Sequence, residues 1–239
     1  MVPENKPKSQ LHSAGKRGAS MADIARLKDP EMATPAAALA ALKAGNERFF
    51  SGRATRPELN ANERRAQIIE QTPFATILAC SDSRVPVEIV FDQGLGDLFI
   101  VRVAGHVCTP ATMGSLEYAI TALKCHLIVV MGHEGCGAVR AAMLPAEETA
   151  QQPENIRYLL DAIRPAVAEV PALVDEKSRM REAVVRHVLA QVESVQSSRV
   201  VAQAVAAGRV AVVGCYYEIG SGAADFYCDE ELLADEATS

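Results

Sequence analysis

Ala79-Cys80-Ser81-Asp82-Ser83-Arg84 and Gly132-His133-Glu134-Gly135-Cys136-Gly137 decide the reading of this chain. The first stretch closes an apolar run from Ala75 to Ala79, and the second follows another from Leu127 to Met131. Apolar runs of this length, bounded by small residues and turns, predict buried parallel strands. In open parallel sheets reactive groups gather at the carboxyl ends of the strands. Cys80, Asp82, Arg84, His133 and Cys136 are therefore expected at one edge of one sheet.

Two thiolates and an imidazole are the soft and borderline donors that Zn²⁺ prefers. His133 and Cys136 stand three apart, which places them on one face of a turn or first helical turn. Three protein ligands leave a fourth position open, as in catalytic rather than structural zinc sites. Any one of these residues alone reads equally well as a buried free Cys or a core His; the set together favours a metal. Asp82 and Arg84, two apart, suit a bidentate ion pair, with a structural loop ion pair as the competing reading.

Cys-Ser-Asp-Ser-Arg followed by His-x-x-Cys resembles the β-class carbonic anhydrases, from about Ala36 to Tyr227. The segments Ala44–Phe49, Gly114–Ala119 and Val213–Tyr217 resemble the family too. The resemblance implies one Zn²⁺ per chain on Cys80, His133 and Cys136. It also implies reversible hydration of CO₂ to bicarbonate by attack of zinc-bound hydroxide, with Asp82 and Arg84 as the catalytic dyad that orients it. It further assigns substrate contacts to Gln71, which reaches a neighbour's site, to Phe99 and Tyr118 as apolar slot and aromatic wall, and to Gly137 as a backbone donor to bicarbonate. N-terminal helices packing on a neighbouring subunit, in a homodimer or homotetramer, follow from the same likeness. Two departures place a branch. Arg102-Val103-Ala104-Gly105-His106 stands where many members have Arg-Asn-Ala-Gly-Asn, which leaves His106 between proton relay and bonded loop residue. Ile77 stands where bicarbonate-inhibited members carry a Trp; such members also use an Arg and a Tyr, for which Arg102, Tyr216 and Tyr217 remain. The unregulated subgroup is expected, with Asp82 paired to Arg84 at neutral pH.

The rest of the chain predicts an α/β fold with a central, mostly parallel sheet of four to five strands flanked by helices. Residues 1–33 read as a flexible tail and 34–239 as a single catalytic domain. Thr34-Pro35 is an N-cap followed by proline at the first helical position. A charged helix is expected near Asn60–Glu70 and short helices over Pro86–Phe91 and from Gly135 to Met143. Longer ones are expected over Ala111–Lys124, Ile156–Val170 and Asp175–Ala207. Further strands fall at Leu98–Val103 and Val210–Val213, with an edge strand at Ala223–Tyr227. Pro145–Pro153 reads as a loop. The acidic end from Asp229 to Glu231 reads as frayed.

Apolar residues at 49% and charged residues at 23% fit a globular protein, and a net charge of −6 disfavours nucleic-acid and anionic-membrane partners. No apolar run suits a membrane span, and no secretory signal is expected. Six cysteines in 239 residues are not a disulfide framework, so a reducing cytoplasm fits a thiolate site. Cys125 and Cys215 are expected in the core and Cys228 at the surface. Hydrolysis of COS or CS₂ on the same fold is the rival activity; a zinc scaffold would not need Asp82 and Arg84. A redox role is weakened because Cys80 and Cys136 are not Cys-x-x-Cys.

Overall fold

The computed structural model describes residues 32–55, 61–171 and 175–228. The expected tail lies outside them up to residue 31, as does the acidic end from Asp229. Five strands form one sheet: β1 (Ala75–Ala79), β2 (Leu98–Arg102), β3 (Leu127–His133), β4 (Ala211–Tyr217) and β5 (Ala224–Tyr227). Their order is β2-β1-β3-β4-β5. The first four are parallel and β5 pairs antiparallel to β4. Every residue of β1 and β3 is buried, so both faces of the sheet need cover.

The period of two along each strand divides the core. Leu78, Ile128, Val130 and Tyr216 face one cluster, Ile77, Val129, Met131 and Cys215 the other. The first is covered by α4 (Pro110–Thr121), α5 (Gly137–Ala142), α7 (Glu154–Val167), α8 (Glu176–Gln196) and α9 (Arg199–Ala206). The second is covered by α1 (Pro35–Phe50) and α3 (Val87–Val90). The remaining α-helices among the described residues are short, α2 (Ala61–Ala66) and α6 (Ala146–Thr149). Among the described residues no helix is long and apolar enough to cross a membrane.

Several expectations are corrected. α6 lies inside the stretch read as a loop, and α2 stops well short of Glu70. The single helix expected over Asp175–Ala207 is two, because Ser198 turns the chain and caps α9 by accepting from the Val201 N–H. β3 and β4 run further than their apolar runs, through Gly132 and Gly214. Both glycines are packing sites. A Cβ at Gly132 would lie 2.6 Å from the side chains of Val184 and Val188, and one at Gly214 2.9 Å from Val188. The two bare positions let α8 settle close on the sheet.

The Gly45-Asn46-Glu47-Arg48 segment docks α1 on its own chain. Thr34 caps the helix by accepting from the Ala37 N–H at 3.1 Å, and Pro35 opens it. Buried Asn46 donates to the Val90 and Gly222 carbonyls and accepts from the Ala224 N–H. Arg48 pairs with Asp92 at 2.6 Å. A Cβ at Gly45 would collide with the Phe91 carbonyl, which is backbone and cannot step aside. Gly45→Ala is therefore expected to destabilise the protein by about 1–3 kcal/mol, read as a lower urea midpoint. An unchanged midpoint would show that α1 does not dock here in solution.

Candidate functional site

The strand order reverses between β1 and β3: the chain leaves β1 for β2 on one side and returns to β3 on the other. Such a switch point opens a crevice at the carboxyl ends of the two strands. Cys80 follows β1 directly, His133 ends β3, and Cys136 directly follows the turn at Glu134-Gly135 and caps α5. All three are buried, and their ligand atoms lie within 4.8 Å of one another.

The hydrogen bonds orient these groups for a cation. His133 Nδ1 lies 3.0 Å from the Glu134 carbonyl, which can only accept, so the ring proton sits on Nδ1. Nε2 has no hydrogen-bond partner among the described residues and is left as a buried lone pair beside the two sulfurs. The Cys80 sulfur accepts from the Gly105 N–H at 3.4 Å. The neighbouring Cys136 thiol and backbone N–H groups pull the Cys80 thiol below its ordinary value against the cost of burial. Cys136 is pushed up in turn by its neighbour and by burial, although the N–H groups of Ala138 and Val139 face its sulfur and favour the thiolate. A divalent cation taking the lone pair and both thiolates satisfies every one of these atoms, so the donor set fits zinc.

Asp82 sits beside this cluster. Its Oδ1 accepts from the Arg84 backbone N–H at 2.9 Å and from Nε at 3.0 Å, and its Oδ2 accepts from Nη2 at 2.8 Å. Arg84 holds the Asp82 carboxyl well below the usual carboxylate range. Oδ2 is also 3.9 Å from His133 Nε2, so the carboxylate borders the place a cation would occupy. Arg102, at the end of β2, staples the whole loop by donating to the Cys80 and Asp82 carbonyls at 3.0 and 2.7 Å.

A carbonic anhydrase family model matches residues 75–224, which include β1 to β4 and every residue of the cluster. The chain belongs to the β-carbonic anhydrases. Carbonic anhydrase 2 of Mycobacterium tuberculosis is 42% identical over 191 residues, covering 80% of this chain and 91% of that protein. The carbonic anhydrase of Mycolicibacterium smegmatis is 43% identical over 193 residues, covering 79% and 91%. Among solved structures, a Coccomyxa β-carbonic anhydrase in complex with acetazolamide aligns with a TM-score of 0.59 at 26% identity, over 76% of this chain and 78% of that one. A tetrameric β-carbonic anhydrase of Sordaria macrospora shares the fold with a TM-score of 0.64 at 24% identity, over 77% and 93%.

Within this β-carbonic anhydrase chain the expected substrate residues are not brought to the ligand cluster. Gln71 is exposed and precedes β1, whereas Cys80 follows it. The five residues of β1 hold them apart by roughly 16 Å. Phe99 lies near the start of β2, and its ring is 6.2 Å from that of Tyr118, late in α4. All three belong to the amino-terminal end of the sheet. Gly137 does lie at the cluster, as the exposed first residue of α5 with open space where a Cβ would be. Ile77 is fully buried in the core.

The hydrogen-bonded loop reading of His106 does not hold. The residue is fully buried, its ring nitrogens have no partner among the described residues, and its ring lies 4.6 Å from that of His187. Cys125 and Cys215 are core, as expected, while Cys228 is partly buried and packs on the second cluster. The staple by Arg102 and the contact of His187 at Gly105 were not foreseen. Both join residues far apart in sequence, and neither carries a local signal.

Proposed function

We propose that the protein reversibly hydrates CO₂ with one zinc ion held by Cys80, His133 and Cys136. The observation that carries the reading is the bare, buried Nε2 of His133 among two sulfurs, with the Arg84-held carboxylate of Asp82 at 3.9 Å. Zinc supplies Lewis acidity that makes water nucleophilic near neutral pH. The chain's own residues do the rest. Asp82 is acceptor-only while ionised, so it takes a hydrogen bond from the nucleophilic water and aims an oxygen lone pair at the substrate carbon. Arg84 keeps that carboxylate ionised and turned to one side, which favours an open site at neutral pH. The water oxygen bonds to the CO₂ carbon, one C=O pair moves to oxygen, and the released proton goes to solvent. Gly137 is placed to offer an N–H to the bicarbonate formed.

Gln71, Phe99 and Tyr118 serve the site of a second copy rather than their own. Their place at the far end of β1 and β2 supports this, as does the exposure of Tyr118 and of Ile68, Ile69 and Leu95 in the single chain. A homodimer or homotetramer, into which α2 and the outer surface of α1 pack, is the corresponding assembly. Ile77 is buried and Arg102 is committed to two carbonyls, which favours a site without bicarbonate regulation. The thiolate ligands Cys80 and Cys136 suit a reducing cytoplasm. Residues 34–239 act as one catalytic domain behind an N-terminal tail.

Stopped-flow CO₂ hydration on protein of measured zinc content tests the reading. Turnover in proportion to zinc, approaching one ion per chain, is expected. Full turnover after exhaustive zinc removal would overturn it, and turnover of COS or CS₂ without CO₂ hydration would favour the hydrolase.

A further inference from the structure

We infer that His187 is a positioning residue for the metal centre, acting through Gly105 on the Cys80 sulfur. The inference rests on Cys80 being a zinc ligand. His187 lies on α8, is fully buried, and its Nε2 is 2.8 Å from the Gly105 carbonyl. A carbonyl only accepts, so His187 donates from Nε2 and its proton is fixed there. Burial holds the pKa of the imidazole down, at about 4, so the ring is neutral. The same Gly105 gives its own N–H to Cys80 Sγ at 3.4 Å. One residue is thus gripped at its carbonyl by α8 and offers its N–H to the sulfur.

The backbone at this point does not adopt that shape unaided. Gly105 has φ 68° and ψ 17°, and His106 after it has φ 43°. A non-glycine residue in the left-handed region is strained and persists only where the surroundings impose it. A Cβ at Gly105 would lie 2.6 Å from Ile163 and 3.1 Å from Ala138, so the turn is also tightly packed. His106 is buried, its ring nitrogens have no hydrogen-bond partner among the described residues, and its ring lies 4.6 Å from that of His187. α7 and α5 pack against the turn through Ile163 and Ala138, and α8, seated close to the sheet over Gly132 and Gly214, holds its carbonyl through His187.

Hydrogen bonds to a ligating sulfur withdraw charge from it and orient it, and partners beyond the ligands typically change metal affinity 10- to 100-fold. His187→Leu keeps bulk and removes the donor, whereas His187→Gln keeps an N–H donor. In the full-length protein, His187→Leu is expected to weaken zinc binding by about 10- to 100-fold in competition with a chromogenic chelator. It should also shift the sulfur-to-metal charge-transfer band of the cobalt-loaded protein. His187→Gln should restore most of both. Packing alone would not make a smaller polar residue the better replacement. Wild-type affinity and an unshifted cobalt band in His187→Leu, with wild-type protein binding zinc, would overturn this inference alone; wild-type protein that takes up no zinc would overturn the functional reading with it. If His187→Leu does not fold, wild-type protein loaded with cadmium-113 reads the same geometry. Scalar coupling between the metal and the Gly105 amide proton is expected, and its absence would overturn the inference.

Discussion

Cys80→Ser leaves the purified protein without zinc and lowers CO₂ hydration by at least about 10³-fold, or about 4 kcal/mol of barrier. A serine hydroxyl is a harder donor than a thiol and does not ionise near neutral pH, so it does not replace a thiolate on zinc. The two remaining donors, His133 Nε2 and the Cys136 sulfur, would lose the geometry that brings three atoms within 4.8 Å. The fold itself should survive, because the residue follows β1 rather than filling it and serine is nearly isosteric. Metal analysis, far-UV circular dichroism and stopped-flow hydration on one preparation check the three statements together. A folded Cys80→Ser protein with full zinc and full turnover would remove this cluster from the mechanism.

Asp82→Asn keeps close to one zinc per chain and loses about 10²–10³-fold in turnover, within the range for a positioned proton acceptor. Asparagine cannot pair with Arg84 as a charge, and its amide nitrogen presents hydrogens where the carboxylate presented lone pairs. The Arg84 side chain, more than half exposed, is then free to leave. The sign of the pH dependence follows from the pairing. A carboxylate whose folded pKa is depressed is ionised above its unfolded value and loses its contribution only as pH falls through the folded one. Arg84 depresses Asp82, so the pair is intact throughout the neutral range. Any fall of activity on mild acidification belongs to another group. Asp82→Asn should therefore lower the plateau of the pH–rate profile. A mutant with normal turnover across the neutral and alkaline range would contradict this role for Asp82.

The metal-ligand candidates were legible because their signals are local. Cys80 ends an apolar run, and His133 and Cys136 share one turn. β1 was legible to the residue for the same reason. The order of the strands was not, since it depends on which side of β1 each crossover returns, and no residue encodes that alone. β3 and β4 were read short because Gly132 and Gly214 weaken a strand pattern; what they accommodate is a helix whose residues begin at position 176. The break between α8 and α9 had a signal in Ser197-Ser198, but the apolar spacing on either side hid it. The place of Gln71, Phe99 and Tyr118 follows from which end of the sheet each lies at, which matters only once the sheet is assembled.

The length of β1 between Gln71 and Cys80 has a genetic meaning. If the two ends of that strand serve different sites, the catalytic unit is not encoded by one polypeptide acting alone. A chain damaged at the zinc end still carries a sound substrate wall, and one damaged at the wall still carries a sound zinc end. Two alleles, each silent by itself, then complement one another when co-expressed, because a mixed dimer rebuilds one whole site from two sound halves.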